Sequence, residues 1–591
     1  MKTPMTRPHR QRLIATVAAS VLALAASAAP ALAQSAPSEN LTVNLIHLMV
    51  KQGLLSQAAA DQLLAQAERE TAEARAGGAG DAPLASNLPA PAPGATRIPY
   101  VPQIVRDEIK QEVIDQAKAE NWAQPNAIPA WTKRIQISGD VRFRYEDDLY
   151  SKTNDPQIIN FAALNANGPT DVNPNTNIAG VPILNTTKDR DNQAIVRARL
   201  DILANPSDWV TADIRLASGG TNSPVSTSQA LGGGLTKKDF WLDRAYIDIH
   251  PAPWIGGTFG RMPNPFFSTD LVYDTDLNFD GVDLHGAYDV LPRHGVSLFA
   301  TAGAFLTGYS DANFPSNSTS DQKSGTRAKV MIGSQVGVNW KAPWFSWKTG
   351  LAYYSFENNQ GELSQPCALY TGVTQCSTDF SAPQFMQKGN TVFLIRDIVP
   401  DPAAGSGATP LPQFVGLVSP FHILNLVSTL DIPLNNGKHL ALTGDYARNL
   451  AYKFSNACRY GESGLPLNNI IAPLATDTDV CAGETGPNAP KFESGPNAFM
   501  LRAVYGDPEP YRLGEWNVMV AYKHLAPDSV LDGYTDADFH LGGTNAKGYI
   551  LQGAMGLWSG SNLQFRWFSA DEVYGPPLSI DVLQIDLNAS F

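Results

Sequence analysis

The last stretch of the chain alternates strictly between apolar and polar side chains. In residues 579–591 (SIDVLQIDLNASF), positions 583, 585, 587 and 589 are apolar and the positions between them are polar. Side chains of a β-strand point alternately to its two faces, so this strand has one apolar and one polar face. The chain then ends on the aromatic Phe591. The pattern predicts the closing strand of an outer-membrane barrel, and the last strand of a soluble β-sandwich is the alternative.

The same period of two recurs from Trp131 onwards. Segments at 134–146, 194–204, 210–216 and 244–250 place apolar residues on one parity and charged residues on the other. Comparable segments begin near Trp254, Leu271, Val296, Lys329, Trp344, Ile423, His439, Ala498, Trp516, Lys547, Leu563 and Ser579. Short turns alternate with long polar connections, and tryptophans lie at strand ends. We therefore predict an all-β, antiparallel transmembrane barrel of about 16 strands, in a range of about 14–18.

Residues before Trp131 have the period of a helix. Leu41, Leu45 and Leu48 recur at helical spacing, and a run rich in Ala, Pro and Gly follows. We predict a periplasmic helical segment at 34–76, a linker at 77–102, a helix with the lead-in to the barrel at 103–130, and the barrel at 131–591. The short N-terminal helices are either a surface spacer or a coiled coil that contacts other subunits.

The first 33 residues have the features of a secretory signal peptide. A basic segment is followed by an Ala-rich apolar run and an Ala-Leu-Ala motif, which predicts cleavage between Ala33 and Gln34. No later run of apolar residues is long enough for a transmembrane helix. The expected location is the outer membrane of a Gram-negative bacterium, with the N-terminal segment in the periplasm.

The charge of the chain disfavours nucleic acid as a partner. The formal net charge is −13, and removal of the four cations of the signal peptide would make it −17, which disfavours nucleic acid. Mean hydropathy is −0.17, as expected when lipid-facing and lumen-facing residues alternate. No cofactor is expected, and neither Cys-x-x-Cys nor Cys/His metal spacing occurs.

The chain has four cysteines, Cys367, Cys376, Cys458 and Cys481. Four cysteines permit three pairings, and the sequence does not choose among them. Local pairing is the simplest, because each bond would then close one polar loop in an oxidising compartment.

Several stretches resemble a known family, the "putative porin" family of Gram-negative bacteria, similar in plan to phosphate-selective porins. They are residues 44–68, 260–266 (GRMPNPF), 270–284 (DLVYDTDLNFDGVDL) and 532–549. The resemblance implies a water-filled channel for passive diffusion of small hydrophilic solutes or ions, often oligomeric, here expected as a homotrimer. Outer-membrane lipid would surround it, and Phe591 resembles the signal read by the outer-membrane assembly machinery. The loop 358–420 is a candidate for folding inward.

Charged residues on the polar strand faces are the candidate pore lining. They are Arg142, Arg144, Arg197, Arg199, Asp201, Arg215, Arg244, Asp248, Asp274, Asp276 and Asp280. The arginines either form a cationic ladder that lowers the barrier for anions, or brace the wall by pairing with Asp140, Asp201, Asp213 and Asp248. We expect residues 274–280 to form a strand with an acidic stripe; the alternative, a calcium loop, lacks the required Gly and Glu.

Two further functions remain as alternatives. A barrel-type lipase or protease would need a Ser/His/acid set, whereas the histidines are scattered and Gly-x-Ser-x-Gly is absent. A structural tether would use the N-terminal helices to hold periplasmic partners. The predicted strand number favours the channel over the enzyme, and the tether is compatible with a channel.

Overall fold

The computed structural model describes residues 132–161, 183–220, 223–308, 328–363, 379–398, 411–434, 436–471, 480–481 and 491–591. The predicted signal peptide, helical segments and linker lie outside these residues, as do Cys367 and Cys376. No helix in the described ranges is long and apolar enough to cross a membrane.

The described residues form β-strands joined by turns and short 3-10 helices. The strands are β1 Ile135–Tyr150, β2 Gln157–Ile159, β3 Ile183–Asn185, β4 Arg190–Ser207, β5 Val210–Ser218, β6 Gln229–Ala230, β7 Phe240–Ala252, β8 Ile255–Pro263, β9 Asn278–Leu291, β10 Val296–Gly308, β11 Lys329–Ala342, β12 Phe345–Glu357, β13 Val392–Ile398, β14 Leu411–Leu417, β15 Phe421–Pro433, β16 His439–Asn449, β17 Ile470–Ile471, β18 Lys491–Phe492, β19 Asn497–Gly506, β20 Trp516–Leu525, β21 Ala546–Trp558, β22 Ser561–Glu572 and β23 Ser579–Ser590. The 3-10 helices are Thr132–Arg134, Pro292–His294, Asp379–Ser381, Phe454–Cys458, Gly461–Gly464, Asp532–Tyr534 and Phe539–Leu541.

Sixteen long strands form a closed antiparallel barrel. Each wall strand pairs with the next wall strand along the chain, from β1–β4 through β22–β23. The last strand then pairs with the first, with Val141 opposite Ala589 and Arg144 opposite Asp586. The two-residue β6 adds to β4, and the pairs β2–β3, β13–β14 and β17–β18 lie in loops. The predicted fold class and strand number are confirmed.

The outer face of the wall is apolar because the predicted parity holds along the strands. Val141, Phe143, Ile585 and Leu587 are exposed, whereas Asp586 between the last two is buried. Exposed tryptophans lie near the short turns that join wall strands, namely Trp209, Trp254, Trp340, Trp344, Trp516 and Trp558. An apolar band with an aromatic border is the surface expected of a barrel embedded in a bilayer.

One predicted strand begins later than expected. The segment assigned to a strand from Leu271 forms a loop, and β9 begins only at Asn278. The backbone N–H of Tyr273 donates to the carbonyl of Thr269, and that of Leu277 donates to the carbonyl of Asp274. These local turns use backbone groups that a strand would pair with its neighbour, so Asp274 and Asp276 of the predicted acidic stripe lie in the loop, and only its last part is on β9.

Loops at the opposite end from the short turns fill part of the barrel interior. The loop 264–277 buries Leu271, Val272 and Tyr273, and the loop 526–545 buries Val530 and Phe539. These side chains share one apolar cluster with inward-facing residues of the wall. The described residues 384–392 of the loop 358–420 pack against the loop 526–545.

The seam between the first and last strands leaves no room for a side chain at Gly139. Its N–H donates to the carbonyl of Phe591 and its carbonyl accepts from the Phe591 N–H, both at 3.0 Å. A Cβ at this position would lie 2.6 Å from the Arg199 carbonyl oxygen and 2.7 Å from the Phe591 ring. Glycine therefore allows the final aromatic residue to lie flat against β1.

Candidate pore constriction

Six arginines predicted as pore lining lie on four neighbouring wall strands. They are Arg142 and Arg144 on β1, Arg197 and Arg199 on β4, Arg215 on β5, and Arg244 on β7. Each has the parity opposite to the exposed apolar residues of its strand, such as Phe143, Ile202, Ile214 and Ile247. Their side chains therefore start from the inner face of the wall.

Arg144 joins the barrel seam to a loop inside the barrel. Its side chain is only 2% exposed. Its Nε and Nη2 donate to Asp586 on β23 at 2.7 and 3.0 Å, and Nη1 donates to Asp538 in the loop 526–545 at 3.0 Å. Arg566 on β22 supports the same two carboxylates, at 3.1 Å from Asp586 and 3.5 Å from Asp538.

Arg197 and Arg199 connect β4 to the loop 264–277. Both contact Asp140 on β1, at 3.0 and 2.6 Å. The Nη1 of Arg199 also lies 3.0 Å from Asp276, whose other carboxylate oxygen accepts from the Thr227 hydroxyl at 2.8 Å. The two arginines thus hold an acidic loop residue against the wall, in agreement with the bracing interpretation.

The arginines of β5 and β7 have different partners. Arg215 donates from Nε to Asp243 at 2.6 Å and lies 4.0 Å from Asp201. Arg244 donates to the amide oxygen of Asn278 at 2.9 Å. The predicted partner Asp248 instead lies 3.2 Å from His250.

Like Arg244, Arg142 has no carboxylate of the described residues within ion-pair distance. It is buried, and its Nη2 donates to the Ser228 hydroxyl at 2.6 Å. Its Nε is buried with no hydrogen-bond partner in the described part of the protein. Arg142 therefore contributes a positive charge that no direct ion pair neutralises.

The loop 264–277 supplies three aspartates to the interior. Burial would raise the pKa of Asp270, but Lys523 and Arg502 hold it well below its usual range. Burial and the nearby charge of Asp536 raise the pKa of Asp274 well above its usual range. Burial also opposes ionisation of Asp276, but Arg197 and Arg199 lower its pKa overall. The pKa values of three neighbouring carboxyls thus shift in different directions because their neighbours differ.

Two of the four aspartates of the loop 526–545, Asp536 and Asp538, lie beside these groups. Asp536 accepts from the Lys523 ammonium at 2.5 Å, and the same ammonium lies 2.5 Å from Asp270. Lys523 on β20 has a fully buried side chain, so it joins both loops to the wall. Burial raises the pKa of Asp536, and Lys523 only partly offsets this. For Asp538, burial is outweighed by Arg144 and Arg566, which lower its pKa below the usual range.

These groups surround a polar cavity of about 350 Å³, which we call the constriction cavity. The charged residues that line it are Arg142, Arg197, Arg502 and Arg566 from wall strands, and Asp270, Asp274, Asp276, Asp536 and Asp538 from the two loops. Positive charges therefore come from the wall and negative charges from the loops. Several of them meet as ion pairs, with Arg502 3.4 Å from Asp270 and Arg566 3.5 Å from Asp538, so the lining presents fixed charges of both signs.

Asp280 and Asp274 do not form the predicted stripe. Asp280 on β9 has the parity of the exposed Val282 and pairs with Arg261 at 2.8 Å. Asp274 accepts from the backbone N–H groups of Asp276 and Ala537. Among the described residues, no group of three or more His, Cys, Asp or Glu could hold a metal ion.

Sequence reasoning missed most of the residues that complete the constriction cavity. Arg502, Lys523 and Arg566 each lie on a strand whose exposed apolar residues, such as Leu501, have the opposite parity. Because this alternation can be read from the sequence, it could have identified these three residues as facing the barrel interior. Nothing in the sequence places the loop aspartates beside them, because Asp270 and Lys523 are 253 residues apart.

One of the two cysteine pairs lies within the described residues. Cys458 and Cys481 form a disulfide bond across 23 residues of sequence, which is the local pairing. The bond closes the loop between β16 and β19, outside the membrane-spanning wall.

A closed membrane-spanning barrel with a charged internal constriction is a channel of the porin class, located in the outer membrane. The chain belongs to the "Putative porin" family, whose family model matches residues 39–591. The resemblance of the sequence motifs to that family is thereby confirmed. A search of curated proteins gave no match.

Solved structures of outer-membrane proteins are also similar to this chain. The outer membrane channel DcaP of Acinetobacter baumannii is 10% identical over 77% of this chain and 97% of its own, with a TM-score of 0.34. Salmonella typhi OmpF in complex with daunomycin has the same identity, coverage and TM-score. A loop L8 deletion mutant of Vibrio cholerae OmpT is 10% identical over 77% and 99% of the two chains, with a TM-score of 0.32.

Proposed function

We propose that this porin passes small hydrophilic solutes and ions passively through the constriction cavity. The observation that carries the proposal is a polar cavity lined by fixed charges of both signs, with arginines on the wall and aspartates on the loops 264–277 and 526–545. A small polar solute loses part of its hydration at a constriction, and fixed charges of both signs replace that hydration. The same charges also orient solutes that have a dipole.

The proposed pore lining includes the residues predicted from the sequence that face the cavity. Arg142, Arg197, Asp274 and Asp276 all line it, and Arg197 lies 3.9 Å from Asp276. Arg144, Arg199 and Arg215 support the lining through their ion pairs. Arg244, Asp201 and Asp248 are also proposed as lining residues, away from this cavity.

The test is the reversal potential of single channels in a planar bilayer under a KCl gradient. Arg142→Gln removes the cavity charge that lacks an ion-pair partner, so the reversal potential should shift toward cation selectivity. Arg512→Gln is the matched control, because Arg512 is exposed in the short turn between β19 and β20. Absence of ohmic channel openings from folded protein would refute the channel proposal. Equal reversal potentials for Arg142→Gln and Arg512→Gln would refute the assigned role of the constriction cavity.

We further propose that the barrel is a channel without catalytic activity. The described residues contain one serine close to a histidine and an acid, since the Ser355 hydroxyl lies 3.2 Å from His422 and 2.5 Å from Glu357. In a catalytic triad the acid orients the histidine. Here Glu357 bonds to the serine instead, and His422 shares its Nδ1 with the Tyr353 hydroxyl at 2.9 Å.

The remaining sequence predictions complete the proposal. Residues 1–33 are removed on export, and the segments 34–76 and 103–130 act in the periplasm as a spacer, coiled coil or tether. The channel assembles as a homotrimer, and Phe591 is read by the outer-membrane assembly machinery. Chemical cross-linking of membranes tests the trimer, and N-terminal sequencing of the mature protein tests cleavage after Ala33.

A further inference from the structure

A second cavity lies at the long-loop end of the barrel. Its volume is about 630 Å³, and its lining combines seven aromatic side chains with the charged residues Asp243, Arg261 and Asp280. We call it the aromatic vestibule and define it by Trp241, Tyr273, Phe279, Phe385 and Tyr534. Aromatic faces and edges attract other rings in offset or edge-to-face geometry, so this lining favours ring-containing solutes.

The aromatic vestibule and the constriction cavity share Tyr273 and Ser226 as lining residues. The Tyr273 ring is held between Phe279 and Tyr354, with ring centroids 5.1 Å away in both cases. Its hydroxyl is buried and has no hydrogen-bond partner in the described part of the chain. A buried hydroxyl without a partner costs free energy, and a ligand that accepts a hydrogen bond there would recover it.

Arg142 lines the constriction cavity together with Tyr273. It is buried, and its described partner is the Ser228 hydroxyl rather than a carboxylate. Of the five aspartates that share the cavity, four are engaged by other cations: Asp538 by Arg144, Asp276 by Arg199, and Asp270 and Asp536 by Lys523. The fifth, Asp274, accepts from the backbone N–H groups of Asp276 and Ala537. A buried guanidinium without an acid is a site for an external anion.

We infer that Tyr273 and Arg142 form a binding subsite for small aromatic carboxylates. The ring of the solute occupies the aromatic vestibule, and its carboxylate accepts from the Tyr273 hydroxyl and the Arg142 guanidinium. This inference rests on the proposed channel function, since the subsite lies on the proposed permeation path. It adds a chemical class of solute to a channel otherwise expected to pass small polar molecules without preference.

The probes are benzoate, acetate and benzylamine, added to single channels in a planar bilayer. Benzoate has both the ring and the carboxylate, acetate lacks the ring, and benzylamine carries the opposite charge. Benzoate should give resolved, transient interruptions of current with a residence time at least tenfold longer than the other two. Tyr273→Phe should shorten the benzoate residence time about tenfold or more, because a hydrogen bond to a carboxylate is charge-assisted. Arg142→Gln should shorten it at least tenfold, because the bond it removes is charge-assisted.

Tyr354→Phe is the matched control for Tyr273→Phe. Tyr354 belongs to the same ring cluster and also has a buried hydroxyl without a described partner, but it lines neither cavity. The benzoate residence time measured for Tyr354→Phe should equal that of the wild type. Equal residence times for benzoate and acetate would overturn the subsite. So would an equal shortening of the benzoate residence time in Tyr273→Phe and Tyr354→Phe.

Calorimetric titration of benzoate into the folded protein in detergent separates this inference from the channel proposal. Benzoate binding that weakens in Tyr273→Phe and Arg142→Gln supports the subsite even if no conductance is seen, in which case the channel proposal fails alone. Conductance without calorimetric binding or current interruptions refutes the subsite and leaves the channel proposal standing.

Discussion

Replacement of Lys523 by methionine should loosen two loops of the constriction at once. The ammonium is fully buried and lies 2.5 Å from both Asp270 and Asp536. After the substitution Asp270 retains Arg502, at 3.4 Å, while Asp536 loses its ion-pair partner among the described residues. The loops 264–277 and 526–545 would then no longer be joined through β20.

The expected loss of stability follows from the number of hydrogen bonds that the substitution removes. A hydrogen bond between charged groups contributes about 1.5–3 kcal/mol, so two such bonds correspond to about 3–6 kcal/mol. Arg502 compensates part of the loss at Asp270. We therefore expect a decrease of about 3–5 kcal/mol in the free energy of unfolding, the cost of leaving a buried carboxylate unpaired.

Urea unfolding of the protein in lipid vesicles, followed by tryptophan fluorescence, measures this change. Lys491→Met is the matched control, because Lys491 pairs with Glu493 but is 69% exposed, and its loss should cost no more than about 1 kcal/mol. The triple variant Lys523→Met, Asp270→Asn, Asp536→Asn removes the unpaired charges and should regain most of the lost stability. If Lys523→Met unfolds at the same urea concentration as Lys491→Met, the ion-pair argument is wrong.

Three further predictions concern other parts of the molecule. Burial raises the pKa of Asp532 to about 7, above its value of about 3.9 in an unfolded chain, so its contribution to stability is present at low pH and is lost as pH rises through about 7. Between pH 5 and pH 9 the free energy of unfolding of the wild type, measured with urea, should therefore fall on the order of 3 kcal/mol relative to that of Asp532→Asn. Parallel pH dependences for the two proteins would contradict this. Cys458→Ser should speed proteolysis of the loop closed by Cys481 without changing the conductance, and an altered conductance would show that this loop reaches the pore. Gly139→Ala should lower the yield of folded barrel, as measured by heat-modifiable electrophoretic mobility, because its Cβ would lie 2.7 Å from the Phe591 ring; Gly553→Ala, which has open space around its Cβ, is the control and should fold normally.

The wall of the barrel could be predicted from the sequence almost strand by strand. The alternation of apolar and polar residues predicts β10 at Val296, β11 at Lys329, β16 at His439 and β23 at Ser579, and the structure begins each strand at that residue. This succeeds because a wall strand between lipid and lumen has two different solvents on its two faces. The period of two then follows directly.

The interior could not be predicted in the same way. Near the long-loop end Phe279, Phe305 and Tyr354 face inward and are buried, because the loops 264–277 and 526–545 place apolar side chains against them. In these strand segments the alternation of apolar and polar residues is weaker, because both faces of the strand are apolar. The contacts that hold the loops, such as Thr269 to Asp445, join residues far apart in sequence, and no local pattern encodes them.

The order of pairing around the wall has a consequence for how the barrel is built. Each wall strand pairs with its neighbour along the chain, so each of these pairings closes a loop far shorter than the whole wall, and β1–β23 is the one wall pairing that joins its first and last strands. The Arg144–Asp586 contact across it spans 442 residues of sequence. Closure is therefore the slow, entropically costly event of assembly, and until it occurs the open sheet has two unpaired edges that can bind other strands or aggregate.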